Sequence, residues 1–140
     1  TAGGTGTGGT GGTGGTGGTG GTGTSTTAAL TAGTTAPVTA TAANEVFTLD
    51  VAAAKASTPD TQITVNSFDV TKDALQINLV TANAAITKLS QLNGVEGIAV
   101  QNNPFTNSTL INFGADADGT VISVTLVGIA DTSLVNVTVI

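Results

Sequence analysis

Between residues 45 and 140, hydrophobic and polar residues alternate in one short segment after another. Successive side chains of a β-strand point to opposite faces, so a period of two predicts strands with one buried face. The alternation is found at 47–51, 63–65, 75–79, 122–126 and 135–139, with shorter candidates at 98–100 and 110–113. Seven short strands separated by turn residues predict an all-β fold, a small β-sandwich. The one expected helix is at 82–91, and the four Phe residues are expected in the core.

The N-terminal region follows a different period, because Gly-Gly pairs separate six Thr residues at every third position: Thr7, Thr10, Thr13, Thr16, Thr19 and Thr22. This repeat resembles polyglycine-II segments, since a period of three matches an extended helix with three residues per turn and no internal hydrogen bonds. Two glycine edges would then leave backbone groups that need partners. The alternatives are a flexible linker and an ordered tail packed on other copies, and we favour the ordered tail. Its expected assembly contacts are Thr7, Gly8, Gly9, Thr10, Gly14 and Thr16.

These patterns divide the chain into a Gly-Gly-Thr tail (1–23), a Thr/Ala-rich linker or exchanged strand (24–43) and a β-sandwich domain (44–140). Val38 opens a short alternating stretch in the middle segment, which predicts a strand. That strand packs either on its own domain or on a neighbouring subunit. The last residues are also uncharged and strand-like, and an unprotected end strand favours pairing with another chain. We therefore add Val135, Val137 and Val139 to the expected assembly contacts.

The composition argues against several classes of function. The chain has no Cys or His, so it offers neither disulfides nor imidazole chemistry. It has three Lys and no Arg, with a net charge of −6, which argues against binding to nucleic acid. No apolar run is long enough for a membrane span. We expect a protein that is not an enzyme and whose main partner is itself.

The C-terminal 95 or so residues resemble the C-terminal target domain of bacterial type I secreted proteins, which often follows calcium-binding repeats. The resemblance rests on segments 44–49 (NEVFTL) and 60–77 (DTQITVNSFDVTKDALQI), and on the closing segments 115–120 (ADADGT) and 124–129 (VTLVGI). It departs from that pattern at Asn66 and Gln76, where the family often has Asp. The resemblance implies export by a type I system through an uncleaved C-terminal signal, and an extracellular or cell-surface location on a bacterium.

One segment has the spacing of a calcium loop. Asp116 and Asp118 alternate before Gly119, and Asn112 is a further candidate oxygen ligand. The alternative, which we favour, is an ordinary Asp-Gly hairpin turn. The segment 69–73 (DVTKD) is expected to be a turn whose Asp side chains bond their own backbone. The predicted cofactors are therefore none, or a structural calcium ion.

The leading hypothesis is a self-assembling extracellular structural protein that forms a fibre, biofilm-matrix filament or surface layer. Assembly would use strand pairing between subunits and packing of glycine helices. The alternative is the C-terminal secretion and calcium-binding module of a larger adhesin or secreted hydrolase. A weaker alternative is an ice-binding protein, because a regular Thr stripe forms an array of hydroxyls.

Overall fold

The computed structural model describes residues 25–79 and 81–140, and it is built mostly of β-strands in two sheets with one short α-helix. The predominantly β prediction is therefore confirmed, whereas the Gly-Gly-Thr tail lies outside the described residues. The elements in chain order are β1 (Thr26–Ala29), β2 (Val38–Thr39), β3 (Glu45–Asp50), α1 (Val51–Ala56), β4 (Gln62–Asn66), β5 (Ala74–Asn78), β6 (Ala99–Asn103), β7 (Ser108–Ala115), β8 (Val121–Val127) and β9 (Asn136–Val139).

From β1 to β5 the chain alternates between the two sheets. The first sheet has the strand order β1-β3-β5-β9 and the second has β2-β4-β8-β7-β6. Each return to a sheet passes through the other sheet, so the chain re-enters in the same direction and neighbouring strands are parallel. All three ladders of the first sheet are parallel, as are β2–β4 and β4–β8. Among the described residues, the β6–β7 and β7–β8 ladders are antiparallel, and an isolated antiparallel bridge joins Lys88 to Asn136.

A single hydrophobic core fills the space between the sheets. The inward faces follow the predicted alternation: Phe47 and Leu49 of β3 and Leu75 of β5 are almost completely buried, as are Ile63 of β4 and Val124 of β8. These side chains come from both sheets and form one cluster, so neither sheet has an independent core.

The predicted helix at 82–91 is wrong in position. The α-helix is α1, where Asp50 caps the N-terminus by accepting a hydrogen bond from the Ala53 N–H at 3.0 Å. The alanines that follow favour the helix, and Val51, predicted to end the strand, begins it instead. Within 82–91 only the start of a short 3₁₀ turn, Leu89–Leu92, is helical. Residues before this turn donate and accept backbone hydrogen bonds with β9.

Candidate functional site

The outer edge of β9 is covered by residues 83–89 of the same chain. Leu89 N–H donates to the Val135 carbonyl at 2.9 Å, Val137 N–H donates to the Thr87 carbonyl at 3.0 Å, and Asn83 N–H donates to the Val139 carbonyl at 3.3 Å. We call residues 83–89 the strap.

Buried side chains and an ordered amide anchor this strap. Ile86 and Leu89 lie in the core, and Gln91 Oε1 accepts hydrogen bonds from the N–H groups of Thr87 and Lys88. The side chains of Val135, Val137 and Val139, three expected assembly contacts, are buried in the core. Their backbone groups that point away from β5 bond mainly to the strap, so pairing with another chain here requires the strap to move.

Both edges of the second sheet are also restricted. β2 has only two residues and follows Pro37, which has no N–H to donate. Val38 is half-buried there and pairs with β4 of its own chain. On the far edge, Val100 N–H of β6 donates to the Asn93 side chain at 2.9 Å, so this edge is partly bonded. The backbone groups of Asn102 point the same way and have no hydrogen-bond partner among the described residues.

The edge of β1 differs from the other three. Thr26 N–H donates to the Asn44 carbonyl at 2.9 Å, and Leu30 N–H donates to the Thr48 carbonyl at 2.8 Å. Backbone groups of a strand point alternately to its two sides, so those of Thr27 and Ala29 point away from β3. Among the described residues, these groups have no hydrogen-bond partner. β1 contains only Thr and Ala, so it has no charge or bulky side chain to block an incoming strand.

Charged residues lie at strand ends, in turns and loops and, at Lys55, in α1. In the nine strands of the described residues, only Glu45 and Asp50 are charged, and they are the first and last residues of β3. The outward positions are mainly Thr, Ser, Asn and Gln, as in the row Ala29, Thr48, Gln76 and Thr138 across the first sheet. Natural sheets commonly place charges on edge strands to prevent association, and the edge strand β1 lacks them.

The predicted calcium-loop residues lie at and near the turn between β7 and β8. Asp116 is 7% exposed, and its Oδ1 accepts hydrogen bonds from the N–H groups of Asp118 and Thr120, both at 2.9 Å. Gly119 completes the turn with φ of +85°. Asn112 uses its Oδ1 to accept from Gly114 N–H, and Asp118 is exposed. The local geometry is therefore that of the Asp-Gly turn.

One atom of this turn has no partner. The Oδ2 atom of Asp116 is buried and accepts no hydrogen bond from any described residue. A buried carboxylate oxygen without a partner is costly, so a cation or a water molecule there would be favourable. Across the described residues, however, no group of three or more acidic, His or Cys side chains converges as a metal site. Calcium binding stays a prediction that depends on Asp116.

The turn at 69–73 has the predicted self-bonded form. Asp69 accepts from both the N–H and the hydroxyl of Thr71, and the hydroxyl bond lowers the pKa of Asp69. Asp73 is 1% exposed and accepts from Glu45 N–H at 3.1 Å and Asp69 N–H at 2.9 Å. Burial raises the pKa of Asp73 above its ordinary value. The Asp73 carboxylate therefore joins this turn to the start of β3, whereas the Asp69 carboxylate closes the turn on itself.

The prediction that all four Phe residues lie in the core is wrong for Phe105. Phe47, Phe68 and Phe113 are buried, whereas Phe105 is 97% exposed in the turn between β6 and β7. Its sequence context contains the signal that was missed: Pro104 and several Asn residues surround it, which favours a turn over a buried strand.

Comparison with known proteins does not assign the chain to a family. No protein-family model matches it, and no curated protein matches it significantly. No helix in the described part of the chain is long and apolar enough to cross a membrane.

Proposed function

We propose that this protein is a self-assembling extracellular structural protein whose subunits associate through the edge of β1. The observation that carries the proposal is that β1 presents unpaired backbone groups at Thr27 and Ala29 and contains no charge. The other edges are covered, shortened or partly bonded by identifiable local features. An exposed edge without such protection is a template for another strand.

The size of this edge indicates what else assembly requires. A second copy pairing antiparallel about Ala28 would form four backbone hydrogen bonds through residues 27 and 29 of each chain. At about 0.5–1.5 kcal/mol for each bond, the gain is about 2–6 kcal/mol. Association costs about 4–15 kcal/mol in lost translational and rotational freedom. The edge alone gives a weak contact, so a fibre or layer needs a second contact on the same subunit.

The Gly-Gly-Thr tail is our candidate for that second contact. It directly precedes β1 in the chain, so antiparallel pairing at β1 starts each tail beside the neighbouring subunit. The tail residues proposed to pack between copies lie outside the described residues, and their role rests on the period of three. The resemblance of the C-terminal region to type I secretion target domains supports an extracellular location for the assembly.

The test compares two single variants, each of which replaces an exposed Thr of the first sheet with Lys. Thr27→Lys places an ammonium on the open edge, where pairing would bury it or bring it close to its copy. Thr138→Lys is the matched control: it places the same charge on the outward face of β9, whose edge the strap covers. Both positions are exposed, so both variants should fold. We expect Thr27→Lys to lower the yield of polymer in electron microscopy and sedimentation, and Thr138→Lys to leave it near wild type.

Two results would contradict the proposal. The first is a wild-type protein that stays monomeric at all concentrations, with and without calcium. The second is equal polymer yield for the two lysine variants, which would show that β1 is not the contact.

The partnerless Oδ2 atom of Asp116 favours a second candidate function, a calcium-binding secretion module of a larger adhesin or hydrolase. Asp116→Asn retains the Oδ1 acceptor of the turn and replaces Oδ2 with an NH₂ group, so it separates turn geometry from metal binding. If calcium raises the melting temperature of the wild type and not of Asp116→Asn, this candidate gains support. If calcium has no effect on either protein, the carboxylate has only a structural role.

A further inference from the structure

The turn between β6 and β7 forms one wall of a cleft on the outward face of the second sheet. The cleft has a volume of about 500 Å³ and an uncharged lining: Gln101, Asn102, Asn103, Pro104, Phe105, Ser108, Leu110 and Thr125. The strand register places Gln101, Leu110 and Thr125 side by side across β6, β7 and β8, so they form the floor. The cleft is distant in sequence from β1, and no step of the proposed assembly uses it.

The backbone of the turn that carries the exposed Phe105 is held by local hydrogen bonds. Asn103 Oδ1 accepts from Phe105 N–H at 3.0 Å, and the hydroxyls of Thr106 and Ser108 are 2.7 Å apart. Asn107 bonds the Gly128 carbonyl through its side chain. These local bonds hold the backbone of the turn that carries the ring. Since the ring is 97% exposed, it contributes little to the core, and its burial remains available for binding.

The polar groups beside the ring are also available. Among the described residues, the amide of Gln101 and the hydroxyl of Thr125 have no hydrogen-bond partner. An amide and a hydroxyl both donate and accept. The cleft therefore combines one apolar ring face, one aliphatic side chain and neutral two-way hydrogen-bonding groups.

We propose that this cleft binds a neutral saccharide. A pyranose ring has an apolar face of C–H groups that stacks on an aromatic ring, and its hydroxyls donate to and accept from amides and hydroxyls. A neutral sugar also matches the uncharged lining, whereas an acidic polymer would be repelled by a protein of net charge −6. An apolar partner would leave the Gln101 and Thr125 groups without hydrogen bonds, which would cost affinity.

The test measures binding of the full chain to immobilised polysaccharides by interferometry. The neutral probes are dextran, mannan and galactomannan, and the acidic probe is alginate. We expect at least one neutral polymer to bind and alginate not to bind. Phe105→Ala should lower the affinity about tenfold or more, because the ring provides the stacking surface. Gln101→Ala should lower it about three- to tenfold through loss of hydrogen bonding.

The matched control is Val121→Ala. Val121 is 42% exposed on the same sheet and lies outside the cleft, so its truncation should leave affinity unchanged. All three truncations, Phe105→Ala, Gln101→Ala and Val121→Ala, are at exposed positions, and folding is checked by circular dichroism. Absence of binding to every neutral probe, or equal affinity for wild type and Phe105→Ala, would overturn the proposal. Reduced polymer yield in Phe105→Ala without any saccharide binding would also overturn it and would assign the patch to a contact between copies.

Saccharide binding and assembly at β1 can be tested separately. Saccharide binding is measured with the Thr27→Lys variant as well as the wild type. Binding by Thr27→Lys would establish the cleft even if β1 takes no part in assembly, and loss of binding there would contradict a cleft separate from the β1 edge.

Discussion

Truncation of Leu89 tests whether the strap limits assembly. Leu89 is completely buried, and its N–H donates to Val135 on the outer edge of β9. A buried Leu→Ala change costs about 2–5 kcal/mol through lost burial and the cavity that remains. Because this loss falls on the segment that covers β9, Leu89→Ala should raise the population of molecules with an open β9 edge. If the loosened strap opens independently, a loss of about 3 kcal/mol corresponds to a population increase of roughly 100-fold.

The open edge has a specific consequence for association. β1 and β9 are the two edges of one parallel sheet, so β1 of one copy can add to β9 of the next in the same direction. Such a head-to-tail contact is heterologous, and it produces an open chain of subunits when the rotation between copies does not close a ring. Leu89→Ala should therefore form filaments faster than the wild type, as measured by light scattering and confirmed by electron microscopy.

The control must lose similar stability without opening this edge. Leu126 on β8 is also completely buried, but it lies in the interior of the second sheet. Leu126→Ala should lower the free energy of unfolding by a similar amount without accelerating head-to-tail assembly. A milder variant, Gln91→Ala, removes the side-chain acceptor that orders the strap and should accelerate assembly modestly. Equal assembly rates for Leu89→Ala and Leu126→Ala at matched stability would refute a gating role of the strap.

Three further predictions concern other regions. Gly14→Val should reduce fibre yield strongly because a side chain blocks close backbone approach, whereas Thr→Ser changes at 10, 13, 16 and 19 should be mild; equal, wild-type yields would indicate a flexible linker. Burial disfavours the ionised form of Asp73 in the folded chain. The stability that the protonated carboxyl provides is therefore complete below the ordinary pKa of 3.8 and is lost as pH rises through the raised pKa. Urea unfolding from pH 3 to pH 6 should accordingly show the wild type losing stability relative to Asp73→Asn, and a pH-independent difference would contradict this. Gly33→Ala should cost more stability than Gly94→Ala in thermal unfolding: both residues have positive φ, at about 1–2 kcal/mol for a side chain, but only at Gly33 does an added Cβ lie 2.9 Å from Ser57 Oγ; equal losses would show that this contact is relieved without cost.

The alternation of residues predicts where most strands lie because burial of one face requires a period of two. Phe47, Ile63, Leu75 and Val137 are all on inward faces, as their spacing indicates. The alternation does not predict whether neighbouring strands pair parallel or antiparallel. Parallel and antiparallel ladders use the same alternation, and only the chain's path through the second sheet makes β3 and β5 parallel.

Other features were not predicted because they depend on contacts between distant segments. Ile86 and Leu89 indicated a helix, yet the strap satisfies its backbone at β9. β1 consists of Thr and Ala without a hydrophobic alternation, and it is a strand because Thr26 pairs with Glu45 of β3. Phe105 is exposed, although its hydrophobic side chain alone predicts a place in the core.

The order of the strands also has a consequence for when the protein can fold. In the first sheet β5 pairs with β9, so Ala74 takes its partner Asn136 from the last five residues of the chain. The strap in turn takes its backbone partners from Val135, Val137 and Val139. A chain that emerges from the ribosome N-terminus first cannot complete this sheet until β9 has been synthesised. The first sheet therefore closes late in folding, and closure of such a long-range pair is intrinsically slow.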